Sequence, residues 1–296
     1  MSPATAHGQR VRLDQLLVER GLAPTRSRAQ ALLLAGHVRV GEGDAGRTDR
    51  KPGDLVDAAV TIAVSERDPY VSRGGHKLAA ALDAFGIDPA GQVCLDVGAS
   101  TGGFTDVLLQ RGASRVYALD VGRGQLAEQL RADRRVVSME RTNARGLGPG
   151  VLPEPVALAT VDVAFISLGA VLGPVAATID PNRGGRVVAL VKPQFEAGKG
   201  RTDRGVVRDM TIHREVIERV AAGAAAIGLE VRDAVPSPIL GPDGNREFFL
   251  DLEVPAGWTA GGSAATPLPP DWSDRMARLV APATEVAGPG AGVAGR

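Results

Sequence analysis

The sequence has a single cysteine and no long hydrophobic run, and each absence excludes a class of protein. Cys94 is the one cysteine among 296 residues, so the chain has no internal disulfide, which favours a reducing compartment. No apolar stretch approaches the roughly 20 residues that span a bilayer, and the amino terminus lacks the apolar centre of a secretion signal. We therefore expect a cytoplasmic protein with no membrane partner.

The chain also has no excess of charge of either sign. It carries 34 basic and 34 acidic side chains, so binding to nucleic acid has to be inferred from local clusters rather than from the whole chain. Its four histidines are scattered and its cysteine stands alone, and we therefore expect no metal site.

Residues 10–66 are predicted to form a small α+β domain. Leu13, Leu16 and Leu17 recur at helical spacing, and Gly21 follows as a stop. Thr25 is the expected N-cap of a second helix, after which the stretches HVRV and VTIAV read as strands.

Arginine is concentrated in this domain. Arg26 and Arg28 fall in the first turn of the second helix, where a cation opposes the helix dipole unless an anion such as phosphate meets it. A solvated basic face is the alternative. The stretch RLDQLLVERGLAPTRSRAQALLLAGHVRV resembles the S4 RNA-binding module, and this resemblance implies RNA contacts. The predicted RNA-binding residues are Arg12, Arg20, Arg26, Arg28, Arg39 and, beyond the domain, Arg73.

Residues 74–255 alternate apolar strands with helices, which predicts a parallel sheet covered on both faces. The last two strands are joined by a segment too short for a crossover helix and are expected to pair as an antiparallel hairpin. The prediction is an α/β, Rossmann-like fold with a seven-stranded sheet and a terminal hairpin, the arrangement of class I methyltransferases. The predicted strands are 93–97, 115–120, 135–139, 157–165, 186–192, 229–235 and 247–254.

A glycine-rich loop follows the first of these strands in LDVGASTGGF. Its glycines fit neither a dinucleotide-binding loop nor a P-loop, and Asp96 just before it would repel a pyrophosphate. A cationic ligand fits better, and S-adenosylmethionine also needs an acid for its ribose hydroxyls, which Asp120 supplies. The predicted cofactor contacts are Asp96, Gly98, Ala99, Ser100, Thr101, Gly102, Gly103, Phe104, Asp120, Asn143 and Asp162.

Lysine is scarce: only four of the 34 basic residues are lysines. Lys192 ends a strongly apolar strand at the edge where the cofactor is expected, and burial there would favour a neutral amine that can act as a base. Asp162, at the end of a neighbouring strand, would lie beside it. The alternatives are a lysine that reaches solvent from a strand end and an aspartate that caps a turn.

The stretches RGGHKL, LDVGASTGGFTD, VDVAFISL, VKPQFE and GNREFFL resemble the TlyA family of ribosomal RNA 2′-O-methyltransferases, some of which carry the name haemolysin. The resemblance covers residues 10–254. It implies methylation of cytidine 2′-hydroxyls in rRNA or ribosomal subunits, and a link between loss of activity and resistance to capreomycin-like antibiotics. The catalytic set that it implies is Lys77, Asp162, Lys192 and Glu247.

Two other functions are considered beside this one. A non-catalytic RNA-binding assembly factor would share the S4 module without needing the complete lysine set. A haemolysin would need an inserting amphipathic segment, which the sequence does not show. The expected organisation is an S4-like domain (10–66), a linker (67–73), a methyltransferase domain (74–255) and a disordered tail (256–296) with a short helix at 273–280.

Overall fold

A computed structural model describes residues 10–34, 37–41, 47, 50–64, 68–198, 200–241 and 243–281. The chain divides into two compact units, Met1–Pro69 and Tyr70–Arg296. Each unit has its own hydrophobic core.

The first unit is a small α+β fold around a leucine core. Leu13, Leu17 and Leu33 are buried at its centre, as the helical spacing predicts. The second helix begins as expected, because the Arg28 N–H donates to the Thr25 hydroxyl. Its elements are β1 (Arg10–Arg12), α1 (Leu13–Glu19), α2 (Arg26–Leu34), β2 (Val38–Val40), β3 (Leu55–Asp57) and β4 (Ile62–Val64).

Two strand pairs close this unit, and the sequence indicates only one of them. The predicted strands β2 and β4 pair antiparallel, with Val38 opposite Val64. A second antiparallel pair joins β1 and β3, with Val11 opposite Val56. The sequence did not indicate β1 and β3 because RVR and LVD each contain one β-branched residue, whereas HVRV contains two and VTIAV four.

The second unit contains the predicted seven-stranded sheet, and its strand order is β10-β11-β9-β8-β5-β6-β7. Strands β7, β6, β5, β8 and β9 are parallel, whereas β11 is antiparallel to both β9 and β10. Its strands are β5 (Val93–Val97), β6 (Arg115–Leu119), β7 (Val136–Met139), β8 (Leu158–Val161), β9 (Gly185–Val191), β10 (Glu230–Pro236) and β11 (Phe248–Val254). Its helices are α3 (Gly74–Phe85), α4 (Gly103–Gln110), α5 (Glu128–Arg131), α6 (Leu172–Ala176), α7 (Pro193–Glu196), α8 (Met210–Ala226) and α9 (Trp272–Val280).

The strand order sets the position of the site. From β5 the chain runs to β6 and β7 on one side of the sheet, and then returns to β8 and β9 on the other side. Ligands of open parallel sheets bind beyond the carboxyl ends of the strands at such a reversal. The loops that follow β5, β8 and β9 therefore meet at one edge, and they carry Gly98, Asp162 and Lys192.

The structure differs from the sequence prediction at both ends of this unit. Tyr70 and Val71, placed in the linker, pack against the core, and the Val71 N–H donates to Asp106. Residues 256–281, placed in the disordered tail, are folded, since α9 buries Trp272 and Met276 against the core. The predicted short helix corresponds to α9, whose apolar side chains recur every four residues; residues 282–296 lie outside the described part of the chain.

Candidate active site

The glycine-rich loop after β5 has a backbone that only glycine accommodates at its first position. Gly98 has a φ of +85°, and a Cβ built there would lie 2.2 Å from the backbone oxygen of Asp162. The N–H groups of Gly98 and Ala99 both donate to the Leu119 carbonyl, at 2.8 and 3.0 Å. The loop is thus fixed between β6 and the end of β8, and its backbone lies close to the space beyond the strands.

Asp120 anchors the next loop and faces the same space. Its carboxylate accepts the Ser100 N–H at 2.8 Å and the Gly122 N–H at 2.6 Å. It lines a cavity of about 480 Å³, which we call the strand-end cavity. Of the predicted cofactor contacts, this cavity is lined by Gly98, Ser100, Asp120, Asn143 and Asp162.

A second cavity of about 390 Å³, which we call the ion-pair cavity, adjoins the first and shares with it Gly98, Ser100, Asp162 and Lys192. The four residues of the implied catalytic set all line it, although they come from distant parts of the chain: Lys77 lies in α3, Asp162 and Lys192 follow β8 and β9, and Glu247 precedes β11. Its other predicted contacts are Ala99, Thr101, Gly103, Phe104 and Arg73.

The four residues form two ion pairs. Lys192 pairs with Asp162, and both side chains are partly accessible from the cavity. The Lys77 ammonium donates to Glu247 at 2.5 Å, and this pair is nearly enclosed, with side chains 8% and 1% exposed. Each of the two lysine side chains thus has a carboxylate beside it.

Two predicted cofactor contacts, Asp96 and Gly102, line neither cavity. Asp96 is fully buried behind the loop, where it accepts hydrogen bonds from the hydroxyls of Thr105 (2.7 Å) and Thr160 (3.1 Å). The prediction that it faces the ligand is wrong, because its side chain points from β5 into the packing between α4 and the sheet. Gly102 shapes the loop instead, with a φ of +100°.

Burial raises the pKa of Asp96 from its ordinary 3.8 to about 6; the two threonine hydroxyls oppose the shift and the charge of Asp162 adds to it. Because the folded-state pKa is the higher one, Asp96 destabilises the fold increasingly as the pH rises from about 4 to about 6, by about 3 kcal/mol in total. We expect Asp96→Asn to remove this dependence and to leave the protein at least as stable at pH 7.5.

Urea unfolding at several pH values measures this effect. Both tryptophans, Trp258 and Trp272, lie in the second unit, so their fluorescence reports its unfolding. Asp274→Asn removes an exposed carboxylate from α9 and is the matched control. An Asp96→Asn protein whose stability still falls between pH 4 and pH 6 as in the native chain would contradict the assignment.

Three of the predicted RNA-binding arginines of the first unit, Arg12, Arg20 and Arg26, have partners within that unit. The buried carboxylate of Asp14 accepts hydrogen bonds from Arg12 and Arg26, which hold its pKa well below the usual range. Arg20 donates to the carbonyls of Ala58 and Val60. The argument that Arg26 needs an external anion is therefore wrong, because Asp14 supplies the negative charge at the start of α2.

The remaining surface of the strand-end cavity includes apolar side chains that the sequence analysis did not single out. Phe165 is 91% exposed, with a φ of +63°, and its ring centre lies 5.0 Å from that of Phe195. Val121, directly after Asp120, is 71% exposed. The sequence indicated these two residues only by their position, because Val121 directly follows Asp120 and Phe165 comes soon after Asp162.

Two searches of the described residues bear on other functions. None of their helices is both long and apolar enough to span a membrane. Within the same part of the chain, no three histidine, cysteine or acidic side chains stand together in a way that could hold a metal ion.

Comparison with known proteins agrees with this geometry. The S4 domain model matches residues 11–43, and that of the FtsJ-like methyltransferases matches residues 70–253. The 16S/23S rRNA (cytidine-2′-O)-methyltransferase TlyA of Mycobacterium tuberculosis is 47% identical over 249 residues, which are 83% of this chain and 91% of that protein. Hemolysin A of Brachyspira hyodysenteriae is 38% identical over 82% of this chain and 100% of its own.

A solved structure is also similar to most of this chain. The structure of a candidate hemolysin from Streptococcus thermophilus is 41% identical and covers 91% of this chain and 95% of its own, with a TM-score of 0.66. The two family models together match residues 11–43 and 70–253, and the relatives each cover more than four fifths of the chain. The chain therefore belongs to the FtsJ-like methyltransferases that carry an S4 domain, the TlyA family.

Proposed function

We propose that the protein transfers a methyl group from S-adenosylmethionine to the 2′-hydroxyl of cytidine in ribosomal RNA. The observation that carries this proposal is that the two cavities adjoin each other. The two lysine–carboxylate pairs line the ion-pair cavity, which lies next to the strand-end cavity. The relative from Mycobacterium tuberculosis is named for this reaction on 16S and 23S rRNA. The reaction places the protein with ribosomes in the cytoplasm.

The strand-end cavity fits the cofactor in size and chemistry. Its volume of about 480 Å³ lies in the range of small-molecule sites. The Asp120 carboxylate can accept hydrogen bonds from ribose hydroxyls, and the exposed Val121 side chain offers an apolar surface for the base. The Asp162 carboxylate would supply negative charge for the sulfonium. When bound, S-adenosylmethionine supplies an electrophilic methyl group.

The residues of the ion-pair cavity prepare the nucleophile. A ribose hydroxyl is a weak nucleophile at neutral pH, so it has to be held in line with the methyl group and relieved of its proton as the new O–C bond forms. In this proposal Lys192, which lines both cavities, accepts that proton as its free amine, and the Asp162 carboxylate stabilises the ammonium ion that forms. Lys77, held by Glu247, donates a hydrogen bond that orients the hydroxyl oxygen.

We assign RNA binding to the S4-like domain of residues 10–66, and catalysis to residues 74–255. On the first unit, we assign phosphate contacts to Arg28 and to the exposed Arg39, whereas Arg12 and Arg26 hold Asp14 and offer their remaining donors. Arg73 lines the ion-pair cavity, and we assign it to the phosphate next to the target nucleotide.

Incubation of the purified protein with labelled cofactor and 16S rRNA, 23S rRNA or either subunit tests the proposal. We expect labelled 2′-O-methylcytidine after digestion to nucleosides. Asp120→Ala should weaken cofactor binding, measured by calorimetry, by about thirtyfold or more, because a charged hydrogen-bond acceptor is lost. Glu128→Ala, on the exposed first turn of α5, is the control. RNA binding without any methyl transfer would instead indicate a non-catalytic assembly factor.

A further inference from the structure

The two oxygens of the Glu247 carboxylate have different surroundings. Oε2 accepts the hydrogen bond from Lys77, whereas Oε1 is buried and has no hydrogen-bond partner among the residues that the structure describes. Glu247 as a whole is only 2% exposed. A carboxylate oxygen in that situation is unfavourable by itself and has to be held there by its surroundings.

Gly241 occupies the side towards which Oε1 points. A Cβ built on Gly241 would lie 2.6 Å from Oε1 of Glu247, which is closer than Cβ atoms approach other atoms, and 3.2 Å from its Cδ, which is a tight contact. The φ angle of Gly241 lies outside the left-handed region, so its backbone suits any residue. The absence of a side chain at Gly241 is therefore explained by the space that Glu247 needs and not by the turn.

The backbone on either side of Glu247 is fixed. The Ser237 N–H donates to the Glu247 carbonyl at 2.9 Å, and the Gly241 N–H donates to the Asn245 carbonyl at 2.9 Å. The buried amide of Asn245 accepts the Val207 N–H at 2.9 Å and donates to the Gly205 carbonyl at 3.0 Å. A side chain at position 241 would therefore displace the carboxylate rather than the turn.

We propose that Gly241 is a positioning residue of the active site: its missing side chain gives the Glu247 carboxylate the place from which it holds Lys77 on the wall of the ion-pair cavity. The catalytic consequence rests on the proposed function, whereas the structural consequence does not. Gly241→Ala is the smallest change that fills the space.

Lysine side-chain NMR measures the structural consequence directly. The chain has only four lysines, so a protein labelled with ¹⁵N-lysine gives at most four ammonium signals, and Lys77→Arg identifies that of Lys77. We expect Gly241→Ala to shift or broaden the Lys77 signal and to leave that of Lys192 unchanged. Gly223→Ala, at an exposed position of α8 where a Cβ meets nothing, should change neither signal.

Kinetics measure the catalytic consequence. A displacement of about 1 Å in a group that orients the nucleophile lowers kcat by up to about a hundredfold, and we expect a loss of this order without a change in cofactor affinity. A merely structural defect would instead lower the active fraction. Glu247→Asp shortens the side chain by one methylene and withdraws it from Gly241, so adding Gly241→Ala to Glu247→Asp should cost much less than adding it to the native chain.

The outcomes separate this inference from the proposed function. A Gly241→Ala protein with a native Lys77 signal and native kcat would overturn the inference. A shifted Lys77 signal together with native methyl transfer would support the positioning of Lys77 by Gly241 and contradict the catalytic role of the pair. If Gly241→Ala fails to fold, the double variant Gly241→Ala with Glu247→Asp still tests the inference, because relief of the contact should restore folding.

Discussion

Replacement of Lys192 with alanine is expected to lower the rate of methyl transfer by about a thousandfold, the size of a lost general acid–base group. Lys192 is the only lysine that lines both cavities within the described part of the chain, and it is paired with Asp162 there. Without it the hydroxyl has no group to take its proton as the O–C bond forms. Single-turnover transfer of labelled methyl to rRNA measures the loss.

A second variant and a binding measurement make the Lys192 experiment specific. Lys192→Arg keeps a cation beside Asp162, but a guanidinium does not give up its proton, so this variant should be nearly as inactive as the alanine variant. Calorimetry with the cofactor should give an affinity within about threefold of the native chain for both, since the ribose acid Asp120 is untouched. A folded Lys192→Ala protein with the native rate would rule out the assignment.

The buried pair of Lys77 and Glu247 should dominate the effect of single substitutions on stability. Lys77→Met or Glu247→Leu alone leaves one charge without its partner in a nearly closed site, at a cost of about 3–5 kcal/mol. The double substitution removes both charges and fills their volume with apolar atoms, so it should recover most of that loss. Urea unfolding followed by tryptophan fluorescence gives the four free energies of the cycle.

An exposed ion pair serves as the comparison. Arg214 and Glu218 are joined at 2.7 Å on α8, with both side chains about one-third exposed, and Glu218→Ala should cost no more than about 0.5 kcal/mol. Single substitutions at Lys77 and Glu247 that simply add up in the double variant would show that the two charges do not stabilise each other.

The glycine-rich loop, Asp162 and Lys192 were predictable because each directly follows an apolar strand. The strands VCLDV and RVVALV are buried along their length, which marks them as central, and the polar residues after them had to meet at one edge. Lys77 and Glu247 carried no such signal. They were named through the family resemblance, and the structure brings them together as a pair.

The sequence by itself determined the order of the elements, the parallel sheet with its antiparallel hairpin, and the set of polar residues at the carboxyl edge, because these follow from periodicity and strand polarity along the chain. Tertiary structure alone decided which partner each polar group has. Asp96 faces the packing of α4 rather than the cavity, and Asp14 neutralises the arginines expected to await phosphate. It also ordered the segment around Trp272, whose burial depends on α8. Partners distant in sequence meet only when the chain is folded, so hydrogen bonds and burial between them leave no local pattern.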